Sequence, residues 1–324
     1  MKKLKIKKNV KKTILISIII TIFLSIGIYS TIKIYNQKQY EKTYEYKLLE
    51  IGYSKDEANK IIDSYKSKEI DYILSNEVNK YYLELLNDKY FIYNNFYKYI
   101  DYLKENLDTP IRNIVEIINT NRNKDYYTET EKTDISKKEL MLVNKYYYLE
   151  EDYTPENLVT IPQTYAWGDL GSQKATKETY DAFLNMWNDA SLEGHYLMVS
   201  SSYRIYDKQL SVYNDYKDSR GTEYADSIAA RPGYSEHQTG YTLDIFDKTS
   251  TNQHTFFESD AYKWLKENAH KYGFVLRYPE DKENITGYSF ESWHYRFVGK
   301  DIATYIYENN ITFDEYYAYF IANK

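Results

Sequence analysis

A run of twenty residues without a charged side chain, from Thr13 to Ile32, limits most strongly what the start of this chain can form. At about 1.5 Å per residue, a helix of this length spans roughly 30 Å, the thickness of the hydrocarbon core of a bilayer. Seven lysines and no acidic residue precede the run, and such clusters stay in the cytoplasm. The pattern predicts a cytoplasmic tail over residues 1–12, a transmembrane helix over residues 13–32 and an extracellular remainder.

A cleaved secretory signal peptide is the alternative interpretation of this run. Ser25-Ile-Gly27 matches the small-x-small pattern of a cleavage site. However, the match lies inside the apolar run, contains no alanine and is followed by more uncharged residues. These features favour an uncleaved anchor. The membrane is therefore one of the expected partners of this chain.

The chain contains no cysteine, which excludes both disulfide bonds and the lipid-modified cysteine of a bacterial lipoprotein. This is common among bacterial surface proteins and unusual for secreted animal proteins. The formal net charge is −6, and it becomes about −13 when the seven amino-terminal lysines are left out. An acidic extracellular part argues against nucleic acid as a partner.

Residues 38–138 have the pattern of a helical, aromatic and polar extracellular spacer that ends in a linker. Ser54-Lys-Asp-Glu57 is a capping box at a helix start, and Glu77 to Leu103 reads as one long amphipathic stretch. Asn119 to Lys138 is rich in Asn, Asp, Thr and Lys, which is typical of a linker. We find no residue in this segment that suggests chemistry.

Residues 139–324 mix strands and helices without a strict βαβ rhythm, which predicts an α+β domain with a small antiparallel sheet and flanking helices. The predicted helices are Thr176–Ala190, Asp207–Tyr216, Ser259–Tyr272 and one that opens with the capping box Thr312-Phe-Asp-Glu315. The predicted strands are His195–Ser201, Tyr241–Phe246, Phe274–Tyr278 and Trp293–Val298.

Two short segments of this domain carry the residue types of a catalytic zinc site. His237 is followed seven residues later by Asp244, and Glu291 precedes His294 by three residues. Two imidazoles and one carboxylate can hold zinc with a fourth position open for water, and the spare carboxylate can take that water's proton. This combination predicts a zinc hydrolase.

Each of these residues also has an ordinary structural interpretation. A lone His-x6-Asp pair is weak evidence for metal binding, and His294 on an apolar strand resembles a satisfied core histidine. Glu291 favours the metal site because it can approach the same ion without acting as a ligand. Arg204, at the end of a predicted strand, can stabilise the oxyanion of a tetrahedral intermediate, or it can form a surface ion pair.

Three motifs resemble the VanY-type D-alanyl-D-alanine carboxypeptidases, which share a fold group with lysostaphin-like and hedgehog-like zinc domains. The resemblance covers about residues 140–320 and rests on Ser202-Tyr-Arg204, on Pro232-Gly-Tyr-Ser-Glu-His-Gln-Thr-Gly-Tyr-Thr-Leu-Asp244 and on Glu291-Ser-Trp-His-Tyr-Arg-Phe-Val-Gly299. It implies roles for seven residues: zinc binding by His237, Asp244 and His294, a general base in Glu291, transition-state stabilisation by Arg204, and substrate contacts by Ser235 and Gln209.

Two departures from the family pattern concern substrate preference more than chemistry. Ser292 stands where proline is common, and Tyr241-Thr-Leu replaces a smaller stretch before Asp244. The His-Glu-x-x-His helix of other zinc proteases is absent, which separates this chain from that class.

The expected function is that of a membrane-anchored zinc carboxypeptidase that removes the terminal D-alanine from peptidoglycan stem peptides outside the cell. Three alternatives remain open at this point. The first two are an L,D-carboxypeptidase and an endopeptidase acting on the same stem peptides. The third is a non-catalytic wall-binding protein that keeps the fold.

Overall fold

The computed structural model describes residues 8–168, 171–250 and 253–322. Most of the predicted basic tail over residues 1–12 therefore lies outside the described residues. The chain divides into two compact units, Met1–Phe91 and Ile92–Lys324.

From residue 8 onward, the regular structure of the first unit is entirely helical. Its helices are α1 (Lys8–Tyr40), α2 (Tyr44–Ile51), α3 (Lys55–Ser64), α4 (Ser67–Leu74) and α5 (Tyr81–Asn87). From Lys12 to Tyr40, α1 is long and apolar enough to cross a membrane, judged by length and composition, and none of that segment is buried. The helix predicted over residues 13–32 is thus present and extends further than expected.

Local signals explain where helices in this unit begin and end. Ser54 and Glu57 form the predicted capping box, in which each side chain accepts a hydrogen bond from the other residue's backbone N–H. The amphipathic stretch predicted over residues 77–103 is interrupted, because α5 ends at Asn87. The Asp88 carboxylate accepts a hydrogen bond from the backbone of Tyr90 at 2.9 Å, a local turn that competes with continued helix.

In the described part of the second unit, helices combine with three small sheets. Its helices are α6 (Phe96–Glu105), α7 (Ile111–Asn119), α8 (Lys177–Leu192), α9 (Tyr206–Arg220), α10 (Thr222–Ile228), α11 (Asp260–Asn268), α12 (Glu283–Thr286), α13 (Lys300–Asn309) and α14 (Phe313–Phe320). Its strands are β1 (Glu131–Lys132), β2 (Tyr147–Tyr148), β3 (Leu158–Ile161), β4 (Gln173–Thr176), β5 (Leu197–Ser201), β6 (Thr242–Asp247), β7 (Phe274–Leu276) and β8 (His294–Phe297).

The largest sheet among the described residues has four antiparallel strands in the order β5-β6-β8-β7. This confirms the predicted α+β class with a small antiparallel sheet. The second unit also includes α6, α7 and β1, so it begins upstream of residue 139, where the sequence places the start of the catalytic domain. β1 lies within the predicted linker and pairs in parallel with β2.

The central strand β6 is buried along its whole length because both of its faces are covered. Leu243 and Ile245 pack into the hydrophobic core together with Phe183 of α8 and Leu265 of α11. Since alternate strand residues point to opposite faces, Asp244 is directed to the other side, where it lines a cavity. Leu243 and Ile245 therefore face the hydrophobic core, and Asp244 faces the cavity.

Candidate metal centre

A short helical turn over Glu236–Thr239 presents His237 beside the end of β5. The turn ends at Gly240, which has a φ of 72°, in the left-handed region that favours glycine. His237 Nδ1 lies 2.8 Å from the carbonyl oxygen of Ser202. A proton on Nδ1 satisfies that carbonyl and leaves Nε2, which lies 3.4 Å from Asp244 Oδ2, free to bind a metal.

Asp244 and His294 face each other across neighbouring strands. They are directly paired in the register of β6 and β8, and His294 Nδ1 lies 3.3 Å from Asp244 Oδ1. One donor atom from each of His237, Asp244 and His294 can be chosen so that all three lie within 4.8 Å of one another. The structure thus brings the three predicted ligands together.

The donor set fits a zinc ion. Asp244 Oδ1 is buried and has no hydrogen-bond partner within the described part of the chain, which is unusual for a carboxylate oxygen. Two imidazole nitrogens and one carboxylate oxygen, all buried, are the ligand types that zinc takes in hydrolytic sites. A cation between these atoms would satisfy Asp244 Oδ1.

The two histidines differ in their electrostatic surroundings. Burial lowers the pKa of His237, and the Arg204 guanidinium lowers it further, which favours the neutral ring that metal binding requires. Burial also lowers the pKa of His294, but three nearby carboxylates outweigh it and raise this pKa well above its ordinary value. Those carboxylates favour positive charge at this place, whether from a proton or from a metal cation.

Glu291 and Arg204 lie beside the three candidate ligands. Glu291 Oε2 is 3.2 Å from His294 Nδ1, and burial raises the pKa of the Glu291 carboxyl. Arg204 follows β5 and donates from Nη2 to Ser201 Oγ at 2.7 Å. Both residues line the same cavity as the ligands, so a carboxylate and a guanidinium can reach one bound molecule.

The remaining two predicted site residues line this cavity as well, which has a volume of about 330 Å³. Gln209 accepts a hydrogen bond from Arg204 Nη1 at 2.8 Å and donates one to the carbonyl of Ala230 at 2.7 Å, so it holds the arginine against the cavity wall. Ser235 is buried at the start of the turn that carries His237. Their contacts with a substrate stay predictions.

Sequence reasoning missed a buried ionic network behind His294. Glu236 is fully buried and lies 2.7 Å from Arg277 Nε and 3.0 Å from Arg296 Nη1. Arg277 in turn contacts Asp314 through two hydrogen bonds, of 2.5 and 3.1 Å. Arginines inside apolar segments such as Phe274-Val-Leu-Arg277 and His294-Tyr-Arg296 were the available signal, since buried charges need partners.

Comparisons with known proteins point to one family. A family model described as VanY, D-alanyl-D-alanine carboxypeptidase, matches residues 172–300. The chain is 38% identical over 181 residues to the putative carboxypeptidase YodJ of Bacillus subtilis (strain 168). The aligned region covers 55% of this chain and 66% of YodJ, so the chain spans just under two thirds of that relative's length. The chain is also 32% identical over 226 residues to a D-alanyl-D-alanine carboxypeptidase of Enterococcus faecium, and this alignment covers 68% of the chain and 70% of that relative.

A solved structure shows the same likeness. The LdcB LD-carboxypeptidase, whose structure is described as revealing the molecular basis of peptidoglycan recognition, has a TM-score of 0.55 and 38% sequence identity to this chain. The match covers 59% of this chain and 91% of that one.

Proposed function

The chain belongs to the VanY family of D-alanyl-D-alanine carboxypeptidases, and from this premise we propose that it is a zinc-dependent carboxypeptidase that removes the terminal D-alanine of peptidoglycan stem peptides. The observation that carries the proposal is the convergence of His237, Asp244 and His294 within 4.8 Å, beside the carboxylate of Glu291. When bound there, zinc would act as a Lewis acid and would lower the pKa of a bound water molecule.

The chain's own residues account for the proton transfers of the reaction. Glu291 would take a proton from the attacking water while the water oxygen forms a bond to the carbonyl carbon of the last peptide bond. When the C–N bond breaks, Glu291 would give that proton to the leaving amino group of D-alanine. The products are the shortened peptide with a new carboxylate and free D-alanine.

Arg204 would stabilise the negative charge that develops on the carbonyl oxygen. Its guanidinium is fixed on two sides, by Ser201 and Gln209, so it needs little reorganisation during the reaction. Ser235, on the wall of the same cavity, would hold the terminal carboxylate of the substrate. A small polar cavity of this kind suits the end of a peptide.

The cleavage reaction can be tested with the full-length chain in detergent micelles. Synthetic stem pentapeptide ending in D-Ala-D-Ala is incubated with the protein, and mass spectrometry follows the release of one D-alanine. We expect release that stops after treatment with a zinc chelator and returns when zinc is added. Absence of hydrolysis, or hydrolysis indifferent to the chelator, would overturn the proposal.

An L,D-carboxypeptidase activity is the second candidate, favoured by the 38% identity to the LdcB LD-carboxypeptidase. Such an enzyme would remove the D-alanine that follows an L-centre in a stem tetrapeptide. The same assay with tetrapeptide in place of pentapeptide separates the two specificities. Cleavage of the pentapeptide alone supports the first candidate, and cleavage of the tetrapeptide alone supports the second.

We further propose that α1 anchors the protein in the membrane, with the lysine-rich end in the cytoplasm and the catalytic unit outside. Because the chain has no cysteine, single introduced cysteines report sidedness without background. In intact cells, a membrane-impermeant maleimide should label Lys137→Cys and leave Lys3→Cys unlabelled. The reverse pattern would contradict the orientation, and a mature chain that begins after Gly27 would identify a cleaved signal peptide.

A further inference from the structure

We propose that Glu236 is a positioning residue of the metal centre: its carboxylate accepts the Nε2–H of His294 and thereby directs the Nδ1 lone pair of that ring toward the metal. This inference rests on the proposed function, since it assigns Glu236 a part in holding the proposed zinc ion. It concerns a residue that sequence reasoning left without a role.

The orientation of the His294 ring supports this assignment. Its Nδ1 faces Asp244 Oδ1 at 3.3 Å, while its Nε2 lies 3.5 Å from Glu236 Oε2. Nε2 is buried and has no hydrogen-bond partner among the described residues, so the 3.5 Å separation from Glu236 Oε2 would have to shorten for a hydrogen bond to form. A neutral imidazole that binds a metal through Nδ1 carries its proton on Nε2, and that buried proton needs an acceptor.

Glu236 is anchored so that one of its oxygens stays available. Both arginine contacts, from Arg277 Nε at 2.7 Å and Arg296 Nη1 at 3.0 Å, go to Oε1. Oε2 is left facing His294, with the Thr242 hydroxyl at 3.5 Å. Because the arginines contact Oε1, Oε2 is the oxygen through which Glu236 would accept a hydrogen bond from His294.

The arginines are themselves held in place. Arg277 is paired with Asp314, and Arg296 donates from Nη2 to the backbone carbonyls of Glu139 and Met141 at 2.9 and 2.7 Å. Two guanidinium groups therefore compensate the two carboxylates of Glu236 and Asp314 in a buried setting. This pairing is complete without His294, so Glu236 Oε2 stays available to accept a hydrogen bond from that ring.

The two histidine ligands would then be supported in different ways. His237 is oriented through Nδ1 by a backbone carbonyl, whereas His294 is oriented through Nε2 by a carboxylate. A carboxylate partner increases the basicity of a ligating imidazole more than a neutral carbonyl does. We therefore expect metal affinity to depend on the charge of Glu236.

Replacement Glu236→Gln tests this dependence. The arginines require the amide oxygen, so the amide NH2 would face the Nε2–H of His294, donor against donor. Competition with a chromophoric chelator measures the zinc dissociation constant of the full-length chain in detergent. We expect Glu236→Gln to weaken zinc binding by about 10- to 100-fold.

Asp314→Asn is the matched control, since it removes a carboxylate from the same buried network without touching a ligand. It should lower the thermal stability of the metal-free protein as Glu236→Gln does, while its zinc affinity stays within about threefold of the original. Equal zinc affinities in the two variants would overturn the inference. If the unaltered chain binds no zinc, both the inference about Glu236 and the proposed function are wrong.

Nitrogen NMR of the unaltered, zinc-loaded protein provides a test that needs no buried substitution to fold. We expect the His294 ring to be metal-bound at Nδ1 and protonated at Nε2, and the His237 ring to show the opposite arrangement. Binding of His294 through Nε2 would overturn the inference even if the protein hydrolyses its substrate. Hydrolysis together with unchanged zinc affinity in Glu236→Gln would overturn the inference alone and leave the proposed function standing.

Discussion

Glu291 Oε2 lies 3.2 Å from Nδ1 of His294, the nitrogen that also faces Asp244. Glu291 thus lies beside the candidate metal ligands, three residues before His294 in the segment that leads into β8. The group of side chains that could hold a cation consists of His237, Asp244 and His294, and Glu291 lies next to it.

The substitution Glu291→Gln should abolish turnover and leave the metal in place. The amide cannot accept a proton, so we expect kcat to fall by about 10²- to 10⁴-fold. Elemental analysis should still find zinc, and thermal unfolding should be little changed. Glu280→Gln, at an exposed position, is the control and should retain full activity. Turnover by Glu291→Gln at the original rate would remove Glu291 from the role of base.

The substitution His237→Ala should lower zinc occupancy. It removes one of three donors from a buried site, which leaves too few ligands for tight binding. Zinc per protein, measured by elemental analysis of the purified chain, checks this directly. His195→Ala provides the comparison, because His195 is half-buried against Trp264, away from the candidate ligands. Unchanged zinc content in His237→Ala would show that His237 is not a zinc ligand.

Arg204→Lys should impair catalysis even though it preserves charge. The guanidinium contacts Gln209 and Ser201 through different nitrogens, and a single ammonium cannot reproduce this fork. We expect kcat to fall by about 10²- to 10³-fold with a smaller change in KM, as for loss of an oxyanion contact. Steady-state kinetics measures both constants. Arg220→Lys, at the exposed end of α9, should behave like the unaltered enzyme; a full-rate Arg204→Lys enzyme would refute the assignment.

Lys145 should make the stability of the second unit depend on pH. Burial lowers its pKa to about 8, while its amino group donates to the Asp226 carbonyl at 2.7 Å and lies 4.5 Å from the centre of the Tyr288 ring. The unfolded chain keeps this proton to higher pH, so it binds more protons than the folded chain once the pH passes about 8. The free energy of unfolding should therefore rise by about 1 kcal/mol from pH 7 to pH 9.

Urea unfolding followed by tryptophan fluorescence measures this slope, because all four tryptophans lie in the second unit. Lys145→Met should remove the slope, and Lys263→Met, at an exposed position, should keep it. The range stops at about pH 9 so that tyrosines of the unfolded chain remain protonated. An identical pH dependence in Lys145→Met would show that another group is responsible.

Features that depend on neighbouring residues could be predicted from the sequence. The capping boxes at Ser54 and Thr312 are both formed, and the helix predicted to start at Ser259 has that residue as its cap. The apolar run from Thr13 lies in a helix, as its length required. In each case the decisive contacts lie within a few residues of one another, so the pattern contains the information.

Features that depend on distant pairing could be anticipated only in part. His237, Asp244 and His294 could be grouped because their chemistry is shared, yet only the register of β6 and β8 places two of them opposite each other. The contact between Glu236 and Arg277 joins residues 41 positions apart and has no local signature. The break after Asn87 was missed because aromatic periodicity continued on both sides of a turn at Asp88.

The pairing of β6 with β8 also bears on when the cation can be acquired. A His-Glu-x-x-His helix holds its two histidines one turn apart, and a short peptide can already offer both. Here His294 joins His237 and Asp244 only after β6 and β8, about fifty residues apart in the sequence, have paired, so the complete set of donors does not exist in any short segment of a nascent chain. Exported unfolded, such a polypeptide would cross the bilayer without its cation and depend for activity on whatever zinc the surrounding medium provides.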